Sequence, residues 1–85
     1  MKALHLTPEG GVFPLVPANG TDFTLSEAQA VVGGLIEIHA LSDEDIMVIN
    51  EEGRLLKLPL NPRASLLLGT AVAGPALVCH TGMIK

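Results

Sequence analysis

Short apolar runs separated by turn residues recur along most of this chain. Ala3 to Leu6 reads as a first strand, Pro8-Glu9-Gly10-Gly11 as a turn, and Val12 to Val16 as a second strand. Proline has no amide hydrogen to give to a ladder, so Pro14 places the second strand at a sheet edge. The two strands make an opening hairpin, which ends at Pro17-Ala18-Asn19-Gly20. The pattern then changes. Thr24-Leu25-Ser26-Glu27 fits a capping box, with Phe23 placed for a hydrophobic staple. The helix runs from Leu25 to Val32, and Gly33-Gly34 supplies its stop. Ser26 and Gln29 offer an overlapping cap, about two residues further on.

Leu35 to Leu41 reads as a strand, with Ile36, Ile38 and Ala40 on one side and Leu35, Glu37, His39 and Leu41 on the other. After the acidic turn Ser42-Asp43-Glu44-Asp45, Ile46 to Asn50 completes an antiparallel hairpin. Glu51-Glu52-Gly53 turns once more, with Gly53 free to take a positive φ. Arg54 to Leu58 is suited to extend the sheet. Asn61 is a good N-cap, and Pro62 suits the first position of a short helix ending at Leu68 before Gly69. Ala76 to His80 is a last strand, and the tail 81–85 is expected to fray. The expected fold is one α+β domain over residues 1–85. It has a small, mostly antiparallel sheet of about five strands, with two short helices on one face.

Composition narrows what such a domain can do. Hydrophobic residues make up 48% of the 85 positions; there are two Phe, no Trp and no Tyr. The core is therefore aliphatic, and so much apolar content in a small body leaves some of it on the surface. Self-association would cover it, so a homo-oligomer is expected. A net charge of −4 opposes binding to nucleic-acid duplexes, and the scarcity of aromatic residues removes stacking platforms for single strands. One cysteine, Cys79, allows no internal disulfide, and a cytoplasmic setting is expected. No stretch approaches the roughly twenty apolar residues of a membrane span, and the first apolar run is too short for a signal peptide.

Catalytic and metal chemistry find little support. His5, His39 and His80 fall on separate strands. Adjacent Cys79 and His80 point to opposite faces and are poorly placed to share a metal. The carboxylates of Asp43, Glu44, Asp45, Glu51 and Glu52 sit in turns, where water screens them. The glycine doublets form no phosphate loop. One stretch remains, VINEEGRLLKLPLNPRASLL. It carries Arg54, Lys57 and Arg63, three of the chain's five basic residues, beside a helix start capped by Asn61. A helix N-terminus with a nearby guanidinium can hold a phosphate or carboxylate. The candidate ligand site is therefore Arg54, Lys57, Asn61 and Arg63. The opposing reading is that these charges solvate the sheet and pair with Glu51 and Glu52.

The segments VGGLIEI, VINEEGRLLKLPLNPRA and GPALV resemble a family of short phage and bacterial proteins described as a domain of unknown function. Its pattern of V-G-G-x-I-E, V-N-E-E-G and L-P-x-N-x-x-A corresponds here to Val32–Glu37, Val48–Gly53 and Leu58–Ala64. Ile49 stands as an insertion within the second segment, and Cys79-His80-Thr81 departs from the plainer ending. The resemblance implies a phage or mobile-element setting and brings no activity. The expectation is a non-enzymatic, oligomeric binding protein for a small anionic, nucleotide-like ligand, without cofactor or metal, that could sequester a host immune signal. The alternative is an inhibitor or regulator of a host protein with a basic surface.

Overall fold

A computed structural model describes residues 3–84. Strands β1 (Ala3–Leu6), β2 (Val12–Leu15), β3 (Ile36–Ala40), β4 (Asp45–Asn50) and β5 (Ala76–His80) form one antiparallel sheet, in the order β2-β1-β5-β4-β3. Helices α1 (Leu25–Val32) and α2 (Pro62–Leu68) complete the α+β fold. The last strand in sequence lies at the centre of the sheet. Pro14 lies on the β2 edge, where its missing amide hydrogen disturbs no central ladder.

Local chemistry sets both helix starts. The Thr24 hydroxyl accepts from the Glu27 amide, and the Glu27 carboxylate accepts from the Thr24 amide at 2.9 Å. The second Glu27 oxygen accepts from the Ala18 amide at 2.9 Å, which ties the preceding loop to the same cap. These two backbone donors, Thr24 first, hold the Glu27 carboxyl below its ordinary range. Gly33 ends α1 and Gly69 ends α2, each at a positive φ.

The two helices lie on opposite faces of the sheet, not on one face as the sequence suggests. Phe23, Ala28 and Val32 pack against Ala3, Ile46, Val48, Leu77 and Cys79. Ala64 and Val72 pack against Leu6, Met47 and Ala76 on the other side. Strand side chains alternate between faces, so the run Ile46-Met47-Val48 buries residues on both sides. Two covers are needed. The chain supplies α1 in the connection between the outer strands β2 and β3, and α2 in the excursion from β4 to β5. This layering follows the rule that a strand with an unbroken apolar run is buried on both faces.

The stretch Arg54 to Leu58 is not a strand. Residues 51–57 are turns. The Leu58 amide donates to the Gly53 carbonyl, and the Lys57 amide to the Arg54 carbonyl. This bond pair is a Schellman closure. It places Lys57 at the left-handed position, with φ 58°, and Gly53 is not among the glycines with positive φ. Gly53 serves close approach instead: a β-carbon there would stand 2.3 Å from the Ala73 carbonyl oxygen. The end of the chain is also more ordered than expected. Thr81–Met83 forms a 3-10 turn, and Ile84 bridges Phe23; residue 85 lies outside the described residues.

Candidate functional site

The four residues singled out in the sequence do not share one site. Asn61 is fully buried. Its Oδ1 accepts from the Ala64 amide at 3.1 Å, as expected of an N-cap, and its Nδ2 donates to the carbonyls of Leu6 at 2.9 Å and Gly74 at 3.0 Å. A residue so enclosed and so fully bonded holds the fold and presents no group to a ligand. Lys57 is exposed on the Schellman turn. Arg63 stands near the start of α2, and its Nε donates to the Gly10 carbonyl at 2.9 Å. Arg54 faces a cleft that also contains Leu68 and Thr70, at the far end of α2. A seven-residue helix is about 10 Å long, so the two arginines serve different surfaces.

The Arg54 cleft gathers the most varied chemistry among the described residues. It measures about 200 Å³ and opens between β3, β4 and the loop after α2. Glu37 and His39 contribute from β3, Glu51 from the turn after β4, and Thr70 from the loop. Glu37 and His39 are two positions apart on a strand, hence on one face, and their side chains contact each other. Their exposures of 44% and 35% leave the pair open to solvent. Arg54 forms no ion pair among the described residues, although Glu51 lines the same cleft. The alternation of LIEIHAL already put Glu37 and His39 on the same side. Their meeting with Arg54 and Thr70 depends on the fold of the excursion.

The remaining titratable groups are scattered. Among the described residues no cluster of His, Cys, Asp and Glu could hold a metal ion. The His80 Nδ1 accepts from the Gly82 amide and so caps the final turn. Cys79 is buried in the α1-side core. Burial, aided by the charge of Asp45, pushes its thiol up to about 11.

A family model described as Domain of unknown function (DUF3846) matches residues 1–83. The chain belongs to that family. No curated protein and no solved structure matches it. Within this DUF3846 fold, Val48–Gly53 runs from β4 into the cleft-lining turn, and Leu58–Ala64 leads into α2. Among the described residues no helix is long and apolar enough to cross a membrane.

Proposed function

We propose that the protein is a non-enzymatic binding protein that holds a small, nucleotide-like ligand in the cleft at Arg54. The supporting observation is a guanidinium without an ion-pair partner among the described residues, set at a concave surface beside a hydroxyl and two carboxylates. A free guanidinium is suited to a phosphate or carboxylate. Glu37 and Glu51 accept hydrogen bonds from hydroxyl or amino groups, and they disfavour a bare anion. The combination favours a ligand with a phosphate at one end and hydroxyl or amino donors at the other.

Size limits the ligand further. The cleft's volume of about 200 Å³ falls below the roughly 300–1,000 Å³ of typical small-molecule pockets. One monomer accommodates part of a nucleotide, and a cyclic oligonucleotide would need walls from a second copy. In a phage or mobile-element setting, such binding would sequester a host signalling nucleotide in the host cytoplasm. A second reading draws on the turn between β3 and β4, where Asp43 and Glu44 are exposed. Those charges favour capture of a host protein with a basic surface.

Native mass spectrometry with mononucleotides and cyclic dinucleotides tests the proposal. Uptake of one compound at fixed stoichiometry is expected, lost in Arg54→Ala and kept in Arg63→Ala. Uptake by neither the wild type nor the Arg63→Ala variant, or uptake that survives Arg54→Ala, rejects the cleft. Loss of host-protein capture on charge reversal at Asp43 and Glu44 would favour the second reading.

A further inference from the structure

We infer that the apolar groove between α2 and the β1–β2 hairpin is the surface on which a second copy of this chain docks. α2 turns its small residue inward and two of its leucines outward: Ala64 is fully buried, whereas Leu66 is 85% and Leu67 58% exposed. Between these leucines and Leu4, Leu6 and Val12 lies a groove of about 300 Å³, with Arg63 as its one charged lining residue among the described residues. Single exposed leucines are ordinary on protein surfaces, but a walled groove of them marks an interface.

The charges at the rim select the occupant. Arg63 is tied by its Nε to the Gly10 carbonyl, and Glu9 is exposed in the same turn. The turn at this rim therefore offers Arg63 and, one residue before its Gly10 contact, the exposed Glu9. In a two-fold contact the same patch meets itself, so residue i faces j while j faces i. Arg63 of each copy then meets Glu9 of the other, twice, around an apolar centre of Leu66, Leu67 and Val12. A second copy supplies this complement without any further matching, and a centre depleted of charge within a polar rim is the usual anatomy of an interface.

Two further features fit this arrangement. Leu6 pairs with Ala76 at one end of β5, and Asp45 with His80 at the other. The groove thus lies at the end of the sheet away from the acidic turn, so docking does not press that turn against its own copy. Pro14 blunts the β2 edge, because it offers no amide to an incoming strand. Association is directed to the face of the sheet and not to its edge.

Sedimentation velocity on the intact chain decides the matter. The wild type should sediment at twice the 8.9 kDa chain mass. Leu66→Glu and Leu67→Glu should each reduce it to one chain, with unchanged circular dichroism. Glu9→Arg and Arg63→Glu should each weaken the dimer, and the double swap E9R/R63E should restore it. The charge swap does not alter the apolar centre, so it remains informative if a leucine variant folds poorly. A wild-type monomer at millimolar concentration, a dimer that survives both leucine changes, or a double swap no better than its single variants would each overturn the inference. This readout is mass alone and is independent of ligand uptake at Arg54.

Discussion

The side-chain amide of Asn61 donates to the main-chain carbonyl of Leu6 at 2.9 Å, joining positions 55 residues apart. The same nitrogen reaches Gly74, so one buried amide links β1, the α2 cap and the return segment to β5. Asn61→Ala leaves two carbonyls and the Ala64 amide without that partner. It should cost roughly 2–4 kcal/mol in urea unfolding, a large part of the stability of a domain this small. Asn61→Asp keeps the cap acceptor but sets a carboxylate against two carbonyl oxygens. At neutral pH it should be at least as destabilising as Asn61→Ala, and a milder effect would show that the carbonyl bonds matter little.

Gly53 should resist replacement for reasons of space. A β-carbon would meet the Ala73 carbonyl oxygen at 2.3 Å, a backbone atom that no rotamer change can move aside. Gly53→Ala should cost about 1–3 kcal/mol by thermal or urea unfolding, in the range of overpacked cores.

Lys57 presents the opposite case. It holds a left-handed conformation at φ 58°, in the position of a Schellman closure where glycine is usual. Lys57→Gly removes that strain, and the gain exceeds the added freedom of the unfolded chain. A stabilisation of about 0.5–1 kcal/mol is expected, measured as a higher urea midpoint with an unchanged slope.

The α1 cap carries a pH signature. The folded carboxyl of Glu27 is held below its ordinary value by the Thr24 and Ala18 amides. Its contribution is therefore present above the unfolded pKa of about 4.3 and is lost as pH falls through the lower folded value. Glu27→Gln should flatten the fall in stability below about pH 4.3, read from thermal midpoints across that range. Thr24→Ala should cost about 1 kcal/mol at neutral pH by removing the cap hydroxyl.

Cys79 should be chemically silent in the native state. Its thiol is buried and raised to about 11, so almost no thiolate exists at neutral pH. A disulfide reagent should label it slowly in native buffer and rapidly in urea. Fast native labelling would mean that the α1 side of the core opens readily.

The sequence determined the pieces of this protein whose causes lie within a few residues. Thr24 and Glu27 cap α1 within three positions, Asn61 and Pro62 start α2, Gly33 and Gly69 end the two helices, and short apolar runs bounded by turn residues mark the five strands. Pro14 marked an edge because a missing donor is a property of the residue itself. The tertiary structure decided what depends on distant partners. The apolar residues on both sides of β4 call for cover on both faces, and the placement of α1 and α2 opposite each other follows from where the two long connections cross the sheet. Leu-Leu-Lys-Leu has the composition of a strand, yet Gly53 packed against Ala73 bends the chain into a turn. The same bend separates Arg54 from Arg63 and commits Asn61 to the core. A cluster close in sequence becomes a cleft at one end of α2 and a groove rim at the other, because side chains meet through the path of the backbone in space and not through their spacing along it.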